Sequence, residues 1–486
     1  MDTRTILKLK PELTRFLLQF DGYFGRVTTR RYLDLYVEGQ LGPLPRKSIE
    51  PMADAFGVPP RNLQEFLGLF RWDEQGVRDE LQQYVARRYG HPQSIGVIDE
   101  TSFVKKGRKT ACVQRQHCGA VGKTENCVVS VHLGYATPEF YSLIDGELYL
   151  PEETWHKDRQ RCREAGIPDD VVYRSKWQMA LEQYRRAVAN GVRFAWLVFD
   201  EGYGGKGPFL RELDGLGQNY VAEIPVSFPV WTRRPTVLYR ATARDRKPGR
   251  PCRVPRVKVK NNPKIEVRNV LAYSPRMRKI AWQQYYVKDG SKGPRVWQAK
   301  RLRVYLPDEQ GLPTRPYHLL VARNALDPEE IKYFLSNAPE STSVETLLRV
   351  AFTRWVIERA FEDSTTELGL DHFEVRKFVS IQRHLILSCL SHLFLSEFCR
   401  KHRGEKSGPD DLPGPDRDGD AGAAVGSGWT LFAEVRRANQ YAIGVNATTQ
   451  SQGRVQSPSS NHCSFTQHRH PTQRHNQVSL EAFVAL

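Results

Sequence analysis

Three acidic residues stand where a sequence of this kind could do chemistry. Asp99 follows the apolar run Ile95–Ile98, and Asp200 follows the apolar run Trp196–Phe199. Each carboxylate sits where a buried strand would emerge at the edge of a sheet. The third is Glu358, in a stretch whose apolar residues Val344, Leu347, Leu348, Ala351 and Trp355 repeat at helical spacing. That spacing predicts one long helix from Thr342 to Leu370, capped by the pair Thr342 and Glu345, with Glu358 on its buried face. A buried carboxylate needs a partner. Arg354, one turn back, is one; a metal shared with the two aspartates is another. Three converging carboxylates suit phosphodiester cleavage, in which two Mg²⁺ ions about 3.5–4 Å apart stabilise the attacking and leaving oxygens. Taken singly, the aspartates also read as strand-end turn residues and Glu358 as an ordinary ion-pair partner of Arg354.

The elements that must position these acids can be read along the chain. Residues 1–90 are helical in pattern. Two helices around 49–56 and 59–70 meet at a short turn with Arg46, Lys47 and Arg61 near their starts. This spacing fits a DNA-binding helix-turn-helix, with Arg61, Asn62 and Gln64 facing outward, or a plain helical hairpin. Residues 91–225 alternate strand-like and helical runs, as a mixed α/β sheet does. Residues 226–342 read as antiparallel strands with one charged face, KIEVRNVLAY (264–273) among them. Residues 343–403 are helical again, ending in the strongly apolar run 378–402. The stretch 404–486 reads as a Gly/Pro/Asp linker, one short helix and a polar tail. That tail carries His462, His468, His470 and His475 without ligand spacing.

Charge narrows the partner. The 486-residue chain carries a formal +17, and residues 231–305 alone hold 22 basic and 3 acidic residues, a local +19. Such a placed excess points to a polyanion, nucleic acid first. Arg253, Arg256, Lys258, Lys260, Arg301 and Arg303 are the expected phosphate contacts within it. The eight cysteines form no Cys-x-x-Cys pair, which favours reduced thiols over a disulfide framework or a zinc ribbon. No apolar run of about 18 residues and no secretory signal stands out, so no membrane span and a cytoplasmic location are expected.

The sequence resembles bacterial insertion-sequence transposases of the cut-and-paste DDE type. The resemblance runs from about Tyr32 to Cys399. It is carried by RWD at 71–73, VIDETSFVKKG at 97–107, QHCG-x-x-GKTENC at 116–127, LIDGELYLPEE at 143–153, FDEGYG at 199–204 and RWVIERAFEDSTTELGLDHFEVR at 354–376. It implies an RNase H-like mixed-sheet core (91–225 and 343–403), an inserted antiparallel β subdomain (226–342) and an N-terminal helical DNA-binding domain (1–90). It implies Asp99, Asp200 and Glu358 as catalytic metal ligands for two Mg²⁺, with Mn²⁺ able to substitute. It further implies double-stranded DNA, both transposon ends and target, as substrate, a homodimer on that DNA, and a nucleoid-associated protein. Lys105 and Lys106, in the first acidic motif, read as DNA contacts or as a solvated hairpin. The final helix of the group carries Tyr-x2-Arg-x3-Glu-x6-Lys, in which Tyr, Arg and Lys are associated with end DNA. Arg354 and Glu358 fit it, while Ala351 and Thr365 replace Tyr and Lys.

Two other readings compete. A DNA-binding protein that has lost catalysis would share most of these features, though all three acids are present. Gly202-Tyr-Gly-Gly-Lys-Gly207 after a strand, with Glu223 about 20 residues on, matches a dinucleotide-binding fingerprint of an oxidoreductase. Against it, Asp200 would sit beside the pyrophosphate, and no long clean helix follows.

Overall fold

The computed structural model describes residues 3–239, 254–258, 263–290 and 293–402. Five helices come first: α1 (Thr3–Leu17), α2 (Val27–Leu41), α3 (Ile49–Ala55), α4 (Pro60–Gly68) and α5 (Glu74–Tyr89). The core follows as β1 (Ile95–Val104), β2 (Gln114–Cys118), β3 (Lys123–Ala136), β4 (Tyr141–Leu148), α6 (Arg159–Glu164), α7 (Lys176–Ala189), β5 (Trp196–Phe199), α8 (Glu201–Gly204), α9 (Gly207–Gly215) and β6 (Tyr220–Glu223). The insertion contributes the two-residue strands β7 (Pro229–Val230), β8 (Val237–Leu238), β9 (Arg256–Val257) and β10 (Ile265–Glu266). Then come α10 (Val267–Tyr273), α11 (Pro275–Arg278), β11 (Gln283–Gly290), β12 (Gly293–Pro307), β13 (Pro313–Asn324) and β14 (Ile331–Ser336). Three helices close the described chain: α12 (Val344–Phe352), α13 (Trp355–Thr366) and α14 (Phe378–His402).

One sheet of ten strands organises the molecule. Its order is β11-β12-β13-β14-β6-β5-β1-β3, with β2 and β4 both paired to the far edge of β3. Within it, β4, β3, β1, β5 and β6 form the RNase H-like core. The first three are an antiparallel meander, and β5 and β6 run parallel to β1. The mixed α/β class and the antiparallel insertion agree with the sequence. The way they join could not be read there: β14 pairs antiparallel with β6, so the insertion strands extend the core sheet.

Helix α14 is long and apolar enough to cross a membrane, but nearly all of it is buried inside the protein. It lies against β4 and is wrapped by α1, α2, α4 and α5. A helix that is apolar all round needs such cover. Polar bonds fix the wrapping. Tyr36 meets His384 at 2.8 Å, and Gln40 donates to Ser388 and accepts from Ser391, both at 2.8 Å. Arg383 donates to the carbonyls of Phe66, Leu67 and Phe70, satisfying the end of α4 as a cap would. The RWD motif belongs to this packing. Trp72 lies under the Arg383 guanidinium and bonds the Phe66 carbonyl, and Asp73 caps α5 by accepting from the Gly76 N–H.

Several expectations need correction. The predicted helix 342–370 is two helices, broken at Thr353–Arg354. There the backbone bonds shorten to i→i−3, Arg354 to Ala351 and Val356 to Thr353, while the Thr353 hydroxyl takes the Arg349 carbonyl. Tighter winding advances each residue further round the axis, so the face calculated from α12 does not continue into α13. Ile357 and Ala360 are buried instead, and the Glu358 side chain is 58% exposed. The cap of α12 is Ser343, accepting from the Thr346 N–H, not Thr342 with Glu345. The run 264–273 is mostly helix α10 rather than strand, its buried residues Val267 and Val270 lying three apart. Arg253, Lys260 and the whole tail, with its predicted helix and histidines, lie outside the described residues. Among the described residues, the cysteines at 112, 118, 127, 162, 389 and 399 are all buried.

Candidate active site

Parallel pairing brings the acids together. Ile98 pairs with Phe199, and Phe199 with Ala222, so the next residues, Asp99, Asp200 and Glu223, stand in one row across β1, β5 and β6. This is the carboxyl end of β5 and β6, where open α/β sheets place their ligand sites. Strand β1 runs on to Val104, so Asp99 lies midway along its strand and not at its end as expected, at the point where pairing with β5 stops. Asp200 also caps α8, accepting from the Tyr203 N–H at 3.2 Å. Asp99 accepts from the Glu100 N–H at 2.8 Å.

Arg354, at the break before α13, ties the row to Glu358. Its Nη1 donates to Asp99 Oδ2 at 2.9 Å, its Nη2 lies 2.7 Å from Glu358 Oε1, and its Nε lies 3.7 Å from Glu223 Oε2. Asp99 and Glu358 therefore converge on one guanidinium. Burial first, then the Asp200 carboxylate, push Asp99 up to about 7 against the opposing pull of Arg354. Burial also raises Asp200, which the Tyr203 N–H partly offsets. For Arg354, burial is outweighed by Asp99, Glu358, Glu223 and Asp200, which hold it above the ordinary guanidinium range.

These donors suit a hard divalent cation. They are all oxygen, partly buried, and two of them repel each other. As arranged, no three His, Cys, Asp or Glu side chains among the described residues stand close enough to hold an ion. The positive charge beside them is that of Arg354 and, at Glu223, of Lys332.

Sequence reasoning missed Glu223 as a member of this cluster, weighing it only as a ribose ligand. The rule that found Asp99 and Asp200, an acid ending an apolar strand, applies equally to Tyr220–Glu223. Lys332 donates to Glu223 at 2.7 Å. Glu100 is a second neighbour, bound by Lys176 and, at 3.3 Å, by the Tyr203 hydroxyl. No sequence spacing signals Lys176.

The glycine-rich loop has a packing explanation. A Cβ on Gly204 would lie 1.9 Å from the Glu223 carbonyl oxygen, so glycine lets α8 sit against β6. Helix α8 is one turn long, and its N-terminus is already occupied by the Asp200 carboxylate. Nothing there receives a pyrophosphate.

The expected DNA-binding cations differ in their surroundings. Lys106, Arg256, Lys258 and Arg61 are exposed, Arg61 paired with Glu65 at 2.7 Å. Lys105 instead donates to the Phe373 carbonyl at 2.8 Å and lies over the Phe373 ring, and burial pulls it down to about 8. Arg301 donates to the Thr342 carbonyl at 2.6 Å, and Arg303 bonds His318 at 2.8 Å and the Pro316 carbonyl at 3.1 Å.

Residues 19–294, more than half of the chain, match the family model described as DDE superfamily endonuclease, and the chain belongs to that family. Asp99 and Asp200 fall inside the matched stretch and Glu358 outside it. The chain is also 30% identical over 188 residues to the probable transposase for insertion sequence element IS701 of Microchaete diplosiphon; the alignment covers 38% of this chain and 46% of that relative. Among solved structures, the NurA nuclease from Sulfolobus solfataricus matches at 11% identity and a TM-score of 0.23, over 61% of this chain and 93% of that one.

Proposed function

We propose that this protein is an insertion-sequence transposase that cuts and rejoins DNA at transposon ends, with Asp99, Asp200 and Glu358 as its catalytic carboxylates. The observation that carries this reading is the row of Asp99, midway along β1, and Asp200, just past the end of β5, with Glu358 reached through Arg354. Two divalent ions, Mg²⁺ or Mn²⁺, would be held by these three acids. When bound they supply positive charge to the attacking and leaving oxygens of the phosphodiester. The protein's own part is positional. The Tyr203 N–H orients Asp200 and the Glu100 N–H orients Asp99. The exposed Glu358 can turn toward either. Family membership and the transposase relative support DNA as the partner.

Exposed cations of the basic insertion, Arg256 and Lys258 among them, are proposed to track the phosphates. Residues 1–90 are proposed to select the end sequence through the outward face of α4 at Arg61 and Gln64. Two ends held together imply a dimer on DNA.

The test is cleavage of a plasmid carrying the element's inverted repeats, with Mg²⁺ and with chelator. We expect metal-dependent nicking at the repeats by the native protein. Cleavage that survives chelation, or an Asp200→Asn variant that cuts at the native rate, overturns the proposal.

A further inference from the structure

We propose that Arg354 is the resident counter-cation of the acid cluster, and that it competes with the divalent cation for Asp99 and Glu358. This rests on the metal-binding role proposed above. Each Asp99 oxygen already accepts a hydrogen bond: Oδ1 from the Glu100 N–H at 2.8 Å and Oδ2 from Arg354 at 2.9 Å. The second Nη of the same guanidinium lies 2.7 Å from Glu358 Oε1. A cation placed between Asp99 and Glu358 would occupy the space that the guanidinium now fills.

The charges fit an exchange. Asp99, Asp200, Glu223 and Glu358 face two nearby cations, Arg354 and Lys332. With all four acids ionised, two negative charges remain uncompensated. A planar guanidinium presents five donors in a fixed fork that can hold two carboxylates at once, whereas an ammonium offers three donors from a single point.

Glu223 gives the displaced side chain a place to go. It stands in the next position of the row, 3.7 Å from Arg354 Nε, too far for a hydrogen bond but near enough for attraction. Arg354 sits at the break between α12 and α13, so its side chain can swing toward Glu223 without unwinding a helix. Glu223 is thus a positioning residue that keeps the arginine beside the site after the exchange.

The experiment is calorimetric titration of the full chain with Mn²⁺ in the absence of DNA. A purely supporting arginine would align the ligands, and its loss would weaken binding. A competing arginine gives the opposite sign. We expect Arg354→Gln to bind Mn²⁺ at least ten-fold more tightly than the native protein. Arg354→Lys, which keeps the charge but loses the fork, should shift the same way by less and serves if the Gln variant does not fold. Glu223→Gln, which removes the alternative anion, should bind a few-fold more weakly. Unchanged or weaker binding by both Arg354 variants, with binding abolished in Asp99→Asn, overturns this inference alone. An Asp99→Asn variant that titrates like the native protein overturns the metal-binding proposal beneath it.

Discussion

Replacing Asp200 by Asn removes a charge and little else, because Asn caps a helix about as well as Asp. The capping bond to the Tyr203 N–H should survive, so the variant should melt near the native temperature. Loss of a group that hydrogen-bonds a metal's ligand costs about 10–100-fold, and loss of a direct ligand at least that. We therefore expect plasmid cleavage by Asp200→Asn to fall by about 100-fold or more, with the circular dichroism spectrum unchanged. At this scale the sequence was most informative for residues that follow directly on a buried apolar run. Asp99 and Asp200 each end an apolar run, and parallel pairing does the rest. Glu358 was legible as an acid near Arg354 but not as an exposed one, because its orientation depends on a break in the backbone winding. Glu223 was open to the same rule as the two aspartates, while Lys176 was hidden for a different reason: its proximity to the site comes from tertiary pairing and not from any local pattern.

Elements carry the next level of constraint. Strand β4 brings Asp145 and Glu147 into a network with Arg78, Arg174 and Arg186, which ties α5 and α7 to the sheet. Burial alone would raise Glu147, but the three guanidiniums outweigh it and hold it down at about 2. Its depressed value stabilises the fold above the usual carboxylate range, near pH 4.5, and that contribution is lost as pH falls toward 2. Glu147→Gln leaves the arginines short of a buried partner and should cost about 3–5 kcal/mol in urea unfolding at neutral pH. Gly204→Ala tests a second contact. Its Cβ would meet the Glu223 carbonyl, and such overpacking costs about 1–3 kcal/mol. Denaturation should show that loss, and a native midpoint would mean that α8 moves aside freely. Patterning identified the core strands and α7 because their apolar spacing is regular. It misread 264–273, where a short apolar stretch with β-branched residues fits either state and packing chose helix.

At the scale of the whole molecule, buried histidines set the acid limit. Burial pulls His132 and His384 down to about 4 and His392 to about 3. A lowered histidine stabilises the fold fully above its unfolded value near 6.5, and that stability drains away as pH falls below it. By pH 5 each should have lost about 2 kcal/mol, so melting temperatures measured from pH 7.5 to 5 should fall steeply below 6.5. A flat profile would show that these rings take protons without cost. Removing residues 1–90 should also be severe. It strips the helices that cover α14, and the remainder should aggregate on gel filtration; a monodisperse, folded remainder would mean that the N-terminal helices are an independent unit. The sequence could not reveal that dependence, because nothing in residues 1–90 names the distant helix they enclose. The same arrangement bears on how the chain is made. Helices α1 to α5 leave the ribosome first, yet the apolar rod they close around is not synthesised until residues 378–402. At about 5–20 residues per second, nearly 300 intervening residues take on the order of 15–60 s. Through that interval Phe16, Tyr36 and Gln40 lack the partners Phe394, His384 and Ser388 that they meet in the finished fold. The nascent chain should therefore be a strong client for chaperones until α14 arrives.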